Sequence, residues 1–172
     1  MSVAKEIGLL AELCEGYGYN IGCGDVRIRD SIGVDVSDTR AADVIADATN
    51  LPLDRKELDY IIAAACFEHL EQAPLLVLRH WLSRLRVGGI IGIVVPDAQY
   101  GIWSMTGDTG QAGKLVKPRR EMEHLHAFTM ESLRVLFKFA GMDIVRLEKV
   151  DRRPYRKETT LFCVGRKNET YA

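Results

Sequence analysis

The sequence predicts an α/β fold with a seven-stranded, mostly parallel sheet. Short apolar runs, typical of strands buried on both faces, alternate with amphipathic helical patterns, and this alternation is characteristic of α/β sheets. The last two apolar runs follow each other with no helical pattern between them, so we expect the last strand to be antiparallel. The predicted strands span residues 17–21, 31–36, 42–46, 60–65, 90–95, 143–150 and 159–164.

Three amphipathic patterns predict helices. The first begins near Ser2, which is placed to act as its N-cap. The second begins at Pro74, a residue favoured in the first helical turn, and ends at Gly88-Gly89. The third begins after Thr129, its predicted N-cap, and ends at Gly141. The apolar stripes are, in chain order, Val3, Ile7, Leu10 and Cys14; Leu75, Leu78, Leu82 and Leu85; and Leu133, Leu136, Phe137 and Ala140.

The connection between the first two predicted strands is unusually short. It consists of Asp25 to Asp30, whereas a parallel crossover normally needs at least about 10–12 residues. We therefore expect the first crossover helix to be reduced to a single turn or absent.

Composition narrows the class of protein. A length of 172 residues suits one domain, and a net charge of −1 argues against general nucleic-acid binding, which leaves a basic surface. No apolar run approaches the roughly 20 residues that span a bilayer, and the first residues lack a signal-peptide pattern. We therefore expect a cytoplasmic protein. The cysteines lack C-x-x-C spacing, which predicts free thiols rather than a zinc or redox motif.

Three features follow the first three predicted strands, where ligands bind in open α/β sheets. The first is the glycine turn Asn20-Ile21-Gly22-Cys23-Gly24, in which glycine lets the backbone approach a ligand closely. The second is Asp35, whose carboxylate can accept both hydrogen bonds from a ribose diol. The third is Asp47, which can accept from an adenine amino group. Taken singly, each also fits an ordinary turn, and their combined order is what favours a nucleoside site.

A dinucleotide cofactor fits this pattern poorly. The third glycine of the dinucleotide motif is missing, since its place falls near Arg27. The short connection also leaves little chain for the helix whose N-terminus would hold a pyrophosphate. The sequence therefore disfavours NAD.

The order of motifs resembles that of a known family. Residues 19–97 are similar to the cofactor-binding half of class I S-adenosylmethionine (SAM)-dependent methyltransferases, and more narrowly to their compact type 11-like branch, which tolerates a short first crossover. The tail from His124 to Thr129 also resembles the start of that branch's next helix. The matching motifs are Asn20-Ile21-Gly22-Cys23-Gly24, Asp35, Val44-Ile45-Ala46-Asp47-Ala48, Leu51-Pro52, Asp59 to Ala65, Glu68-His69-Leu70, Arg86-Val87-Gly88-Gly89 and Val95-Pro96-Asp97.

The resemblance implies a Rossmann-like class I methyltransferase fold and SAM as cofactor, with S-adenosylhomocysteine as product. Asp35 would bind the ribose hydroxyls and Val36 would flank the adenine, whose edge would meet Asp47 and Ala48. The methionine portion would lie against the first glycine turn and the end of the fourth strand. This chain departs from the family's first motif at two places: Asn20 stands where many members have an acidic residue, and Asp25-Val26-Arg27 stands where many have a third glycine. Both departures imply a modest affinity for the cofactor. The implied cofactor-binding residues are Asn20, Gly22, Cys23, Gly24, Asp35, Val36, Asp47, Ala48, Ala64, Ala65 and Cys66.

Three residues are the leading candidates for acid–base catalysis, and His124 is a further candidate base. His69 follows the fourth strand, Asp97 ends the fifth, and His126 precedes the third helix. Each also has a structural explanation, as a packing, capping or hydrogen-bonding residue. His124-x-His126, with Glu121 and Glu123 nearby, lacks a third spaced histidine on a defined element, so we expect no metal site.

The resemblance divides the chain into four parts. We expect an N-terminal helix over 1–16, a cofactor-binding half over 17–97, an acceptor loop over 98–128 and a helix with a β-hairpin over 129–172. The leading hypothesis is methyl transfer to a small molecule or a sugar or glycan precursor, by a monomer or homodimer with no nucleic-acid partner. Two alternatives remain: an RNA or protein methyltransferase, and a non-catalytic scaffold that serves as a partner subunit.

Overall fold

The computed structural model describes residues 3–52, 57–99, 124–153 and 158–169. The described residues form three helices and seven strands in the predicted order, with a short 3₁₀ helix, Phe67–His69, after the fourth strand. The elements are α1 Val3–Ala11, β1 Gly18–Ile21, β2 Ile32–Asp35, β3 Val44–Ile45, β4 Leu58–Ala64, α2 Pro74–Leu82, β5 Leu85–Pro96, α3 Met130–Ala140, β6 Met142–Arg153 and β7 Glu158–Lys167.

All seven strands belong to one sheet, in the order β3-β2-β1-β4-β5-β7-β6. Strands β1 to β5 pair in parallel, while β7 runs antiparallel to both β5 and β6. The predicted α/β fold with an antiparallel last strand is therefore confirmed. The order places β1 and β4 side by side in the middle of the sheet, so their carboxyl ends meet at the point where the chain changes direction across the sheet.

The β1–β2 connection contains no helix, as the sequence predicts. It is held by polar contacts instead: the Asn20 side-chain amide donates to the Val26 carbonyl at 3.1 Å. The Arg27 guanidinium donates to the Asp43 carboxylate at 2.7 Å, and Asp43 in turn accepts from the Gly33 amide at 2.8 Å. These bonds bring β1, the link and β2 together without a crossover helix.

The sheet buries apolar side chains on both faces. On one face, Trp81 and Phe137 from α2 and α3 pack on residues of β1, β4 and β5. On the other face, Leu10 of α1 packs with Tyr60 and Phe162. A buried hydrogen bond from the Thr160 hydroxyl to the Glu6 carboxylate, 2.9 Å long, also joins β7 to α1. This two-sided burial explains the continuous apolar character of the central strands.

The end of α2 differs from the prediction. The helix ends at Leu82 rather than at Gly88-Gly89, and β5 already begins at Leu85. Leu58 pairs with Leu85 whereas Tyr60 pairs with Ile90, so the glycines lie in a bulge of β5, with Gly88 at φ +76°. The buried Lys167 ammonium donates to the Leu82 and Leu85 carbonyls at 3.0 and 2.8 Å, which satisfies the helix end from a distant strand.

The third helix begins and ends as predicted. The Thr129 side chain accepts from the Ser132 amide at 3.1 Å, and the Ser132 hydroxyl accepts from the Thr129 amide at 2.8 Å. Gly141 follows the last turn in a left-handed conformation, with φ of +92°. The predicted cap Ser2 of the first helix lies outside the described residues.

None of the helices in the described ranges is both long and apolar enough to span a membrane.

Candidate cofactor site

A cleft of about 720 Å³ opens beside the carboxyl ends of the first four strands. Its volume lies within the range of about 300–1,000 Å³ that small-molecule and cofactor sites occupy. Eight of the predicted site residues line it: Gly22, Asp35, Val36, Asp47, Ala48, Ala65, Cys66 and His69.

Gly22 lies where the first strand turns into the cleft. Its φ of +65° is in the left-handed region, and its amide donates to the Val34 carbonyl at 2.8 Å. A Cβ atom at this position would lie 2.6 Å from the Cys66 sulfur and 2.7 Å from the Cys66 Cβ. Glycine is therefore required both by the backbone conformation and by the close approach of the segment that follows β4.

Asp35, the last residue of β2, has an oriented carboxylate. Its Oδ2 accepts from the Gly24 amide at 2.9 Å, and its Oδ1 accepts from the Ser37 amide at 3.0 Å. Each carboxylate oxygen has a further lone pair, so two acceptors stay available at the cleft wall. The next residue, Val36, is 73% exposed and lines the same cleft, which places an apolar surface beside the carboxylate.

Asp47 combines a turn with a cleft position. Its Oδ1 accepts from the Thr49 amide at 2.7 Å and from the Thr49 hydroxyl at 2.8 Å. Its Oδ2 has no hydrogen bond to the parts of the chain described. The neighbouring Ala48 carbonyl accepts from the buried Trp81 indole at 2.8 Å, which anchors this loop to α2. The turn explanation and the ligand explanation therefore each use a different oxygen of Asp47.

The segment after β4 forms the opposite wall. Ala65 is exposed and adopts φ of +49°, a conformation uncommon for a residue with a side chain. Strained residues of this kind are found most often at functional sites. Burial raises the pKa of the neighbouring Cys66 thiol to about 12, so this sulfur faces the cleft as a neutral group.

Among the described residues, those that line the cleft carry acidic side chains but no basic ones. Asp35, Asp47 and Glu71 contribute carboxyl groups, and the lining residues include no lysine or arginine. Such a wall disfavours a ligand that carries phosphates and favours one with cationic groups.

Four predicted cofactor-binding residues lie outside the wall. Asn20 is 2% exposed and holds the β1–β2 link through Val26. Cys23 is buried with its sulfur 4.0 Å from the Thr39 hydroxyl, Gly24 reaches the cleft only through its bond to Asp35, and Ala64 packs toward the α1 face. Their cofactor roles stay predictions, and their visible contacts are structural.

The three predicted acid–base residues do not lie together at the cleft. His69 lines it, whereas Asp97 is fully buried, with its Oδ2 3.0 Å from the Lys149 ammonium and its Oδ1 accepting from the Gln99 amide. The His126 ring nitrogen Nε2 is bonded to the Leu70 carbonyl at 2.9 Å.

The sequence gives no separate signal for four other residues of the cleft. Residues Thr49, Leu70, Glu71 and Gln72 also line the cleft. His124 lies against His69, with ring centroids 4.8 Å apart, and burial together with the nearby His69 lowers the pKa of His124. Of these residues, Leu70, Glu71 and Gln72 could have been suggested only by their position directly after the Glu68-His69 pair. Glu121 and Glu123 lie outside the described residues.

Comparison with solved structures identifies the fold. The N1-methyltransferase of 1,6-didemethyltoxoflavin from Burkholderia thailandensis, determined with S-adenosylhomocysteine, superimposes with a TM-score of 0.73 at 18% identity, over 98% of this chain and 79% of that one. The chain has the class I methyltransferase fold. No protein-family model matches the sequence, and no curated protein matches it at a significant level.

Two further solved structures with a similar fold are a methyltransferase bound to an activator and a cyclase. A putative methyltransferase of Haloferax volcanii, determined in complex with the Trm112 methyltransferase activator, gives a TM-score of 0.69 at 16% identity, over 96% of this chain and 88% of that one. The [4+2]-cyclase SpnF superimposes with a TM-score of 0.69 at 17% identity, over 95% of this chain and 81% of that one. At these identities the likeness establishes the class I fold alone, so function has to be argued from the cleft.

Proposed function

We propose that this chain binds SAM in the cleft and transfers its methyl group to an acceptor. The observation that carries the proposal is an acidic, glycine-bordered cleft at the carboxyl ends of the strands of a class I methyltransferase fold. SAM has a cationic sulfonium and an ammonium group and no phosphate, so an acidic wall suits it better than it suits a dinucleotide.

The residues of the cleft fit the parts of SAM in order. Asp35 offers two oriented carboxylate oxygens to the ribose hydroxyls, and Val36 offers an exposed apolar surface to the adenine ring. The Oδ2 of Asp47 and the backbone of Ala48 suit the adenine edge. The methionine portion would lie along the turn at Gly22, where the absence of a side chain lets a ligand approach the backbone.

When bound, SAM supplies a methyl group already activated on a sulfonium, so the chain mainly has to align the acceptor and exclude water. Of the three predicted acid–base residues, we assign His69 to the acceptor because it lines the cleft. Asp97 is fully buried beside Lys149, and His126 is bonded to the Leu70 carbonyl, so both are better explained as structural groups.

The two ends of the acceptor loop proposed over residues 98–128 meet, and its returning end lies against the 3₁₀ helix that carries His69. The Ala98 amide donates to the Phe128 carbonyl at 2.9 Å, which joins the two ends of this segment. The Leu125 amide donates to the Glu68 carbonyl at 2.9 Å, which brings the returning end to the 3₁₀ helix. This arrangement supports an acceptor that enters next to His69. We propose a small molecule or a sugar or glycan precursor, since the near-neutral net charge of −1 argues against RNA.

Calorimetric titration with S-adenosylhomocysteine tests the cofactor site. We expect micromolar binding to the wild-type chain, and a loss of at least about 30-fold in affinity for Asp35→Asn, because the amide cannot accept at both atoms. Asp43→Asn is the matched control, since Asp43 also holds a backbone amide through its carboxylate but does not line the cleft. Absence of binding to folded wild-type chain, or equal losses in both variants, would refute the assignment.

Turnover then separates the enzyme from a non-catalytic scaffold. Radiolabelled methyl transfer from SAM to pools of small molecules, glycan precursors, RNA and protein would identify the acceptor class. Binding without transfer to any pool, including after addition of a candidate partner subunit, would favour the scaffold. The expected cytoplasmic location and the monomeric or homodimeric state stay predictions from the sequence, to be checked by cell fractionation and light scattering.

A further inference from the structure

Three side chains from two distant segments meet at the rim of the cleft. Glu68 and His69 belong to the 3₁₀ helix after β4, and His124 belongs to the segment that leads into α3. One potential ligand atom from each, a carboxylate oxygen and two imidazole nitrogens, lies within 4.8 Å of the others. The arrangement exists only in the folded chain, because nothing in the spacing along the sequence brings residue 124 to residues 68 and 69.

The backbone holds the two segments together at this point. The Glu68 carbonyl accepts from the Leu125 amide at 2.9 Å and from the His126 amide at 3.1 Å. The His126 ring adds a third bond, 2.9 Å long, to the Leu70 carbonyl. These three hydrogen bonds therefore fix the distance between the segment that carries Glu68 and His69 and the segment that carries His124. Such support from neighbouring groups is what lets a metal site keep its geometry.

Two imidazoles and one carboxylate form a donor set of a recognisable kind. Calcium and magnesium prefer all-oxygen sites, whereas imidazole nitrogen suits zinc and other first-row transition metals. Three protein ligands that leave one position open are the arrangement of catalytic zinc sites, including those with two histidines and a glutamate. We propose that Glu68, His69 and His124 bind one divalent transition-metal ion, with zinc as the reference ion.

The distances need only small side-chain adjustments. Zinc bonds to nitrogen and oxygen are about 2.0–2.2 Å long, so ligand atoms around a tetrahedral ion lie about 3.4 Å apart. The Glu68 Oε1 and the His69 Nε2 are 3.8 Å apart. No two of the three ligand atoms are more than 4.8 Å apart, so shifts of about 1 Å bring them to this spacing.

The position of the ion relative to the cleft gives it a use. Because His69 lines the cleft, an ion bound by it would lie at the edge of the space proposed for the acceptor. An acceptor hydroxyl bound there would ionise more readily and release its proton to solvent, so the ion would take over the activation that His69 alone would otherwise provide. Metal binding itself does not depend on SAM, and it can be tested whether or not the proposed methyl transfer is correct.

Zinc titration of the full chain, without a histidine tag and after treatment with a chelator, tests the proposal. We expect one zinc ion per chain by calorimetry, and visible absorption bands when Co²⁺ is added in its place. His124→Ala and His69→Ala should each weaken zinc binding at least about 10-fold, since even the loss of a residue that supports a ligand costs 10–100-fold. Both variants should keep the wild-type circular dichroism spectrum, because both side chains are partly exposed.

Two matched variants control for unspecific binding. Glu71→Gln removes an exposed carboxylate that lies next to the cluster, and His80→Asn removes a histidine of α2 that lies outside the cluster and accepts from the Leu51 amide. Both should bind zinc as the wild type does. The proposal is overturned if wild-type chain binds no zinc, if His124→Ala and His69→Ala bind it unchanged, or if Glu71→Gln or His80→Asn loses zinc to the same extent as those two variants. A failure to bind S-adenosylhomocysteine would not affect any of these outcomes.

Discussion

Replacing Gly22 by alanine should destabilise the chain through one identifiable contact. The left-handed backbone at φ +65° costs an alanine about 1–2 kcal/mol. The new Cβ would lie 2.6 Å from the Cys66 sulfur, an overpacking that typically costs about 1–3 kcal/mol. The smaller entropy of the unfolded alanine chain returns about 0.4–1 kcal/mol. The net loss of about 1.5–4 kcal/mol corresponds to a Tm lower by about 3–16 °C for a chain of this size.

Gly24→Ala separates the backbone cost from the contact. Gly24 also has a positive φ, +51°, but apart from its chain neighbours no atom of the described residues lies within 4 Å of the position of its Cβ. Its replacement should therefore cost only about 0.5–1 kcal/mol, the backbone cost less the gain in the unfolded chain. Urea unfolding of both variants measures the difference, which we expect to be about 1–3 kcal/mol.

A double-mutant cycle of Gly22→Ala with Cys66→Gly tests whether the extra loss of stability in Gly22→Ala comes from the contact with Cys66. Cys66→Gly removes both atoms that the new Cβ of Gly22→Ala would meet, so the double variant should be more stable than the sum of the single losses by about 1–3 kcal/mol. The reasoning is refuted if Gly22→Ala and Gly24→Ala differ by less than about 0.5 kcal/mol, or if the cycle shows no coupling.

Two further predictions concern buried polar groups. Lys167→Met should lower the free energy of unfolding in urea by about 2–3 kcal/mol, because it leaves the Leu82 and Leu85 carbonyls without their donor. The control Lys138→Met, at an exposed position, should change this free energy by less than about 0.5 kcal/mol. Equal effects of the two substitutions would contradict the capping role of Lys167. Because burial raises the pKa of the Cys66 thiol to about 12, this thiol is protonated at pH 8, and iodoacetamide should label it at least about 100-fold more slowly in the native chain than in urea. Peptide mass spectrometry measures both rates, the native rate should keep rising from pH 8 to pH 10, and comparable rates at pH 8 would show that the thiol is not protected.

The parts of the fold that rest on local signals could be predicted from the sequence. Buried strands between helical patterns established the α/β class and the order of the elements along the chain, and the short Asp25 to Asp30 connection implied the missing crossover helix. Thr129 and Gly141 mark the limits of α3 correctly, because capping depends on bonds within one turn of the chain. The cleft was predictable to the same extent: Gly22 and Asp35 follow strands whose carboxyl ends must share one edge of the sheet.

The predicted end of α2 was wrong, because the group that satisfies the true end of the helix is far away in the sequence. Gly88-Gly89 is an ordinary helix stop by local rules, yet it lies in a bulge of β5. The carbonyls at the true end of the helix are satisfied by Lys167, which arrives from the last strand. No pattern near residue 82 carries that information.

The sequence by itself determined the class of fold, the order of helices and strands along the chain and the edge of the sheet where a ligand would bind, because periodicity, caps and glycine turns are properties of neighbouring residues. Only the tertiary structure decided which candidate side chains reach the cleft. It buried Asp97 beside Lys149, left His69 on the wall and brought His124 to Glu68 and His69. These outcomes depend on packing and hydrogen bonds between segments far apart in the chain, and spacing along a sequence does not specify such contacts.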